Sequence, residues 1–145
     1  MNKVETPHDD LTYKIIGLAM AVHRELGPGF PEEVYKRAMM VGMDSDNLNF
    51  SREHKIEIEF RGQTIGEFKL DFLVEQQVIV EFKAVDTLHP SHERQVISYL
   101  TASGLDVGLL INFGGPSLQY KRIFPPISVQ SSPAFQNRRK ELQSV

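Results

Sequence analysis

The sequence predicts an α/β fold of the α+β kind, in which a mixed β-sheet is flanked by helices. Three observations support it. Apolar residues recur at helical spacing in residues 9–26, apolar and polar residues alternate in residues 54–61, and a continuous apolar run fills residues 107–113. Because an apolar run that follows a helix is typical of a buried parallel strand, the sheet should contain both parallel and antiparallel pairs.

Length and composition are those of one ordinary globular domain. The chain has 145 residues, of which 41% are hydrophobic and 24% are charged, so a single core of useful size is expected. It has no cysteine, which excludes a disulfide framework and a thiolate metal site. The net charge of −3 neither supports nor excludes a phosphodiester partner.

The domain boundaries follow from the composition of the two ends. Residues 1–5 are polar and acidic, and no apolar stretch is long enough for a membrane span, so we expect no signal peptide, no membrane contact and a cytoplasmic location. Residues 1–124 are predicted to form a single domain. Residues 125–145, rich in Pro, Ser and Gln, are predicted to form a mobile tail in which residues 138–140 are a solvated basic run. A homodimer is left open.

Two helices are predicted before the first strand. Residues 9–26 begin with two aspartates, which favour a helix N-terminus, and the helix should end at Gly27-Pro28-Gly29. A second helix is predicted to start near Pro31, a residue suited to the first turn, and to end around residues 44–47. Glu32 lies in its first turn.

Three strands are predicted next, at residues 54–61, 64–74 and 78–83, with turns at Gly62-Gln63 and around Gln76. The apolar residues of the first strand are expected to face the core: Ile56, Ile58 and Phe60. The turn around Gln76 sets the register of the second and third strands. It predicts one apolar face with three cross-strand pairs: Val74–Val78, Phe72–Val80 and Leu70–Phe82.

The opposite face of this second hairpin carries charged residues. The same register places Asp71 beside Glu81, about 5 Å apart, and Lys69 beside Lys83. Like charges on neighbouring strands destabilise a sheet unless they are neutralised, and a divalent cation is the simplest candidate because hard cations bind carboxylate oxygens. The alternative is an exposed acidic pair that the two lysines neutralise.

The remaining elements are a helix, a buried strand and an edge strand. The helix should be entered at residues 87–90 and end before Gly104, and the strands should span residues 107–113 and 120–124. His89 and His92 form an H-x-x-H pair at the helix entry. Because neither a cysteine nor a third histidine lies nearby, a role in the helix start is favoured over a zinc site.

Several of these segments resemble a known family. Asp71, followed by Glu81-Phe82-Lys83 on the next strand, resembles the D…(D/E)xK signature of the PD-(D/E)xK nuclease superfamily. Residues 29–35, Gly-Phe-Pro-Glu-Glu-Val-Tyr, match the GxxExxY signature of a small family of nuclease-like proteins. Further stretches fit this family in the same order: 71–74, 80–85, 92–95, 99–100 and 108–113. The resemblance covers residues 11–124, and Leu70 stands where the superfamily name has proline.

The resemblance implies a restriction-endonuclease-like αβββαβ core and a nuclease that uses Mg²⁺, with Mn²⁺ as a substitute, to cleave nucleic acid, DNA being the expected form. It implies the following catalytic residues: Asp71, Glu81, Lys83, Glu32 and Gln95. It implies the following metal ligands: Asp71, Glu81, the carbonyl of Phe82, and Glu32. The candidate substrate contacts are His92 and Lys69.

These roles have alternatives. Glu32 is alternatively only a favourable charge in the first turn of its helix, and Gln95 is alternatively a surface residue. For the whole chain, the alternative is a catalytically silent module that binds nucleic acid or protein on the same fold, because a fold does not imply a function.

Overall fold

The structure, a computed structural model, describes residues 6–143. The polar N-terminus of residues 1–5 and the end of the predicted tail, residues 144–145, lie outside the described part. The elements, in chain order, are α1 (Asp9–Leu26), α2 (Glu32–Ser45), β1 (Phe50–Phe60), β2 (Gln63–Val74), β3 (Val78–Lys83), α3 (Pro90–Ser103), β4 (Val107–Asn112), β5 (Gln119–Ile123), α4 (Ile127–Gln130) and α5 (Pro133–Gln143). No helix within residues 6–143 has both the length and the apolar character needed to span a bilayer.

The five strands form one mixed sheet in the order β1-β2-β3-β4-β5. β3 and β4 are parallel, and the other neighbouring pairs are antiparallel. The connection between the two parallel strands contains α3, because parallel neighbours need a crossover of a dozen or more residues. The predicted fold class, a mixed sheet flanked by helices, is confirmed.

Each face of the sheet has its own apolar core. The larger core, which involves α1 and α2, includes the following buried side chains: Ile15, Ala19, Tyr35, Met39, Phe72, Val80, Phe82 and Phe113. The smaller core, which involves α3, includes another set: Leu70, Leu73, Ile79, Val96, Tyr99, Leu100 and Leu110. β4 is buried along its whole length, as expected of a strand that is covered on both faces.

The predicted register of β2 and β3 is confirmed next to their turn, in two pairs: Val74–Val78 and Phe72–Val80. The predicted pairing of Leu70 with Phe82 is wrong, because Leu70 lies in the smaller core and Phe82 in the larger one. The alternation of faces along β2 is therefore interrupted at Asp71. β1 shares the irregularity, since Glu53, between the partners of Leu70 and Phe72, has a left-handed φ of 54°.

The β1–β2 hairpin is longer than predicted, and its turn lies one residue earlier. Arg61 and Gly62 form the turn with φ values of 49° and 79°, which suits a two-residue hairpin connection. Phe60 was expected to face the core, but its side chain is 58% exposed. The reason is that residues 59–65, at the tip of the hairpin, are all exposed and no helix covers them.

The C-terminal segment contains two helices where the sequence predicts a mobile tail. Pro126 precedes α4 and Pro133 is the first residue of α5, so these prolines occupy helix starts and do not break a helix. Phe135 is buried, and the Arg138 guanidinium donates to the Ala102 carbonyl at the end of α3. Arg139 forms an ion pair with Asp106, so the basic run contacts the domain.

Asn112, at the end of β4, connects the segments that follow β3 and β4. Its side chain is fully buried. Its amide oxygen accepts from the backbone N–H groups of Val85 and Gly114, and its amide nitrogen donates to the Val85 carbonyl at 2.8 Å. The backbone that follows Lys83 is thereby fixed to the end of the neighbouring strand.

Candidate active site

Asp71 and Glu81 lie at the point where β2 and β3 separate. Asp71 Oδ2 accepts from the backbone N–H of Phe82 at 3.0 Å, and Glu81 Oε1 accepts from the backbone N–H of Asp71 at 3.0 Å. Each carboxylate thus bonds to a backbone N–H of the opposite strand. The structure therefore brings the two acids together as predicted, although through these crossed bonds and without a regular ladder pair.

Glu81 is a buried acid in a partly negative environment. Glu81 is only 3% exposed to solvent. Burial and the negative charge of Asp71 raise the pKa of Glu81 to about 8, against the opposing effects of the Asp71 N–H, Lys83 and Lys36. The carboxyl group of Glu81 is therefore easily protonated at neutral pH when no further positive charge is near.

The N-terminal part of α2 adds an acid and a lysine to this pair. Lys36 Nζ lies 2.8 Å from Glu32 Oε2 and 3.0 Å from Asp71 Oδ1. Although burial opposes it, these two hydrogen bonds hold the pKa of Lys36 above its ordinary value. Sequence reasoning missed Lys36. Its position four residues after Glu32 was the available signal, because residues at this spacing share a helix face.

Gly29 and Tyr35 hold the loop that leads into Glu32. The buried ring of Tyr35 stacks on Phe113 with centroids 4.7 Å apart. Its hydroxyl donates to the Gly27 carbonyl at 2.5 Å and accepts from the Phe30 N–H at 3.2 Å. Gly29 has a φ of 110°, which strongly favours glycine. Two of the three signature residues in 29–35 therefore shape the backbone.

Lys83 lies beside α3. Its Nζ donates to Oε1 of Gln95 at 3.4 Å, a long hydrogen bond. Gln95 also hydrogen-bonds the hydroxyl of Tyr99, whose pKa is raised to about 12 by burial and then by the charges of Glu81 and Asp71. Gln95 is exposed, as the surface alternative expects, and it contacts the predicted lysine, so its role stays a prediction.

The two histidines cap the start of α3. His89 Nδ1 accepts from the Ser91 N–H at 3.1 Å, and His92 Nδ1 accepts from the His89 N–H at 3.1 Å. Partial burial and the positive charges of Lys83 and His89 lower the pKa of His92, while Glu32 opposes this. His92 is therefore near the site, and the capping geometry agrees with the helix-start interpretation of the pair.

Lys69 is not placed beside Lys83. It is aligned with Lys55 of β1, and the regular β2–β3 ladder ends at Phe72. The predicted pairing of the two lysines is wrong because the strands separate at Asp71. A substrate contact by Lys69 stays a prediction. Phe82 contributes its backbone N–H to the site, and metal ligation by its carbonyl also stays a prediction.

The chain is similar to known proteins in both sequence and fold. Residues 9–123 match the model of a family described as the PD-(D/E)XK nuclease superfamily. The chain is similar to the crystal structure of SSO0001, with a TM-score of 0.53 at 15% identity, over 78% of this chain and 58% of that one. It is also similar to an alkaline exonuclease (LHK-Exo) from Laribacter hongkongensis, with a TM-score of 0.49 at 12% identity, over 99% and 83% of the two chains. No curated protein matches the sequence significantly.

These likenesses differ in what they establish. The family match spans most of the described chain and includes both acids and Lys83. The similarity to SSO0001 concerns the fold alone at this low identity, and the chain spans 58% of the length of that structure.

Proposed function

The chain belongs to the PD-(D/E)XK nuclease superfamily, and on that premise we propose that it is a Mg²⁺-dependent phosphodiesterase that cleaves DNA. Nucleases of this superfamily act on nucleic acid and generally use divalent metal ions. The choice of Mg²⁺ and of DNA is our inference. So is the narrower GxxExxY family, which is supported by the motif in residues 29–35 and by the backbone roles of Gly29 and Tyr35.

The residues at the site suit a divalent cation. Mg²⁺ is usually bound by one or two carboxylates, with waters and substrate phosphates completing its octahedron. Asp71 and Glu81 offer two adjacent carboxylates, and the raised pKa of Glu81 means that a further positive charge would favour its ionised form. Within residues 6–143, no group of three or more His, Asp or Glu side chains is placed to hold a metal. We therefore assign the ion to these two acids and the Phe82 carbonyl, with Glu32 as an outer contact.

Bound there, Mg²⁺ would supply Lewis-acid stabilisation of the phosphate and lower the pKa of a coordinated water. Lys83 would place its ammonium against the charge that develops on the phosphate. Its present hydrogen bond to Gln95 is long and has a neutral acceptor, so a phosphate oxygen can replace it at small cost. Such a charge acts mainly in the transition state.

Three further residues would position the reactants. Gln95 would orient the attacking water once Lys83 turns toward the phosphate. Glu32 would hold a water of the metal from the first turn of α2. His92, near Lys83 at the start of α3, would contact the substrate. These roles follow from the side chains that surround the acidic pair.

The observation that carries the proposal is the crossed pair of hydrogen bonds between β2 and β3. These bonds hold the carboxylates of Asp71 and Glu81 together, and Lys83 follows Glu81 by two residues on β3. The test is a cleavage assay on duplex, branched and single-stranded DNA and on the matching RNA forms. Mg²⁺, Mn²⁺ and EDTA are compared. We expect cleavage of DNA with either metal, none in EDTA, and none by Asp71→Asn.

Asp44→Asn is the matched control, because Asp44 is an exposed aspartate at the end of α2, and it should cleave like the wild type. If the wild type cleaves no form in either metal but binds one of them, the protein is a silent binding module on this fold. Cleavage of RNA alone would overturn the choice of DNA and leave the nuclease in place.

A further inference from the structure

A positive charge already bridges two acids of the proposed metal site. The Lys36 ammonium lies between Glu32 and Asp71, with N–O distances of 2.8 and 3.0 Å. Its side chain is only 14% exposed, unlike that of Arg37, the next residue, which is 76% exposed and pairs with Glu33. The pair with Glu32 lies within α2, whereas the contact with Asp71 joins α2 to β2, 35 positions further along the chain.

Both carboxylate oxygens of Asp71 are engaged. Oδ1 accepts from Lys36, and Oδ2 accepts from the Phe82 N–H, which is part of the backbone and cannot be given up without moving β3. A carboxylate oxygen has two lone pairs, so neither oxygen is closed to a metal. Oδ1 is the oxygen that no backbone group holds, and a divalent ion that takes it shares it with Lys36. Two cations at one oxygen repel each other strongly in a partly buried site, where the effective dielectric constant is low.

We propose that Lys36 is a positioning residue that takes the place of the metal in the metal-free protein and competes with it for Asp71. This inference rests on the proposed metal site. The ammonium holds Glu32 and Asp71 in place while the site is empty, and it leaves Asp71 when the divalent ion binds. The protein therefore binds metal more weakly than the same carboxylates would without the lysine.

The experiment measures Mn²⁺ affinity by titration calorimetry at neutral pH without nucleic acid. Lys36→Met removes the ammonium and keeps a side chain of similar length. We expect its dissociation constant for Mn²⁺ to be about tenfold lower than that of the wild type, which corresponds to about 1.4 kcal/mol. Arg37→Met is the matched control and should bind Mn²⁺ like the wild type.

Thermal unfolding gives a second measurement. In EDTA, Lys36→Met should melt below the wild type, because Glu32 and Asp71 then face each other without a cation. With millimolar Mn²⁺ its melting temperature should rise more than that of the wild type, since a tighter ligand of the folded state stabilises it more. A residue with a purely structural role would lower both curves equally. If Lys36→Met does not fold, Lys36→Gln is tested by the same criteria, because it keeps a donor without the charge.

The possible results separate this inference from the proposed function. Mn²⁺ binding by Lys36→Met that is equal to or weaker than that of the wild type would overturn the competition and leave the metal site in place. If no variant and no wild-type protein binds Mn²⁺, both the competition and the metal-dependent mechanism fail.

Discussion

The two sides of the acidic pair carry one lysine each, and the two lysines are held differently. On the α2 side, Lys36 contacts two carboxylates at short distances. On the α3 side, Lys83 contacts a neutral amide at 3.4 Å, and no ion pair within 4 Å is found for it in residues 6–143. One ammonium already has acidic partners, whereas the other is weakly held.

This difference separates two tasks that a single lysine would perform poorly. Lys36 offsets the negative charge of the acids while no metal is bound. Lys83 keeps an ammonium that can turn toward a phosphate. Because a charge in two strong hydrogen bonds must lose them before it can help a reaction, the weakly held lysine is the better candidate for catalysis.

The largest expected effect is a change of stability with pH. It tests whether Lys36 and Lys83 fully neutralise Asp71 and Glu81. A carboxyl group whose pKa is raised in the folded state stabilises the protein below its ordinary pKa, and this contribution is lost as pH rises through the raised value. For Glu81 the window runs from about 4.5 to about 8. In EDTA, the free energy of unfolding should therefore fall by on the order of a few kcal/mol across this range.

Urea unfolding between pH 5 and 9 measures this fall, and Glu81→Gln is the control because it cannot ionise. The variant should have a flatter pH profile and exceed the wild type in stability at pH 9. Parallel profiles would mean that Lys36 and Lys83 together cancel the effects of burial and of Asp71.

The next effect concerns the weakly held lysine. Lys83→Ala should reduce DNA cleavage by about a hundredfold or more, the usual scale for one lost electrostatic group. Binding of DNA in Ca²⁺ should weaken much less, because one phosphate contact is a small part of the affinity. The measurements are single-turnover cleavage and a binding titration.

Lys55→Ala, an exposed lysine of β1, is the control for the loss of one positive charge. Equal losses of binding and cleavage in Lys83→Ala would assign Lys83 to substrate affinity alone. The weaker contacts of Lys83, compared with those of Lys36, would then not indicate a role in catalysis.

A smaller effect is expected for the partner of Lys83. Gln95→Leu removes the amide that is proposed to orient the attacking water, so we expect cleavage to fall about tenfold, near the value of one hydrogen bond. Ser98→Ala, an exposed change on the same helix, should have no effect. A loss larger than that of Lys83→Ala would mean that Gln95 contributes more to cleavage than the lysine does, and unchanged cleavage would remove Gln95 from the proposed mechanism.

The smallest effect concerns the loop before Glu32. Tyr35→Phe removes the hydroxyl that bonds Gly27 and Phe30, at a cost of about 1 kcal/mol in the free energy of unfolding. Chemical denaturation measures it, with the exposed Tyr120→Phe as control. An unchanged stability would mean that stacking on Phe113 alone holds the loop and the α2 side of the site.

Much of the fold can be predicted from the sequence because local patterns determine it. The helical period and the breaker at residues 27–29 predict α1 with its observed bounds, and the continuous apolar run predicts β4 as a buried parallel strand. The pattern of residues 78–83 also predicts β3 with its observed bounds. In these segments, tertiary contacts agree with local preference.

The errors arise where that agreement ends. Strict alternation along β2 cannot indicate the irregularity at Asp71, because the amino-acid pattern on either side of it stays strand-like. The polar composition after residue 124 does not predict α4 and α5. Their segment packs on the domain through one buried aromatic residue, Phe135 of α5. Lys36 was missed because its second partner, Asp71, is remote in sequence.

The crossed hydrogen bonds between Asp71 and Glu81 also bear on how such a protein changes over evolutionary time. An apolar residue in place of Asp71 would leave the buried Phe82 N–H without its acceptor, which costs about 1–3 kcal/mol. Folded proteins are stable by only about 5–15 kcal/mol, so a descendant would tend to keep an oxygen acceptor at position 71, either the acid or its amide. An acceptor at position 71 in a relative therefore reflects a need of the sheet as well as of the proposed chemistry. On the proposed mechanism, Lys83 is the more informative mark of activity, because within residues 6–143 its ammonium hydrogen-bonds the side chain of Gln95 and no acid.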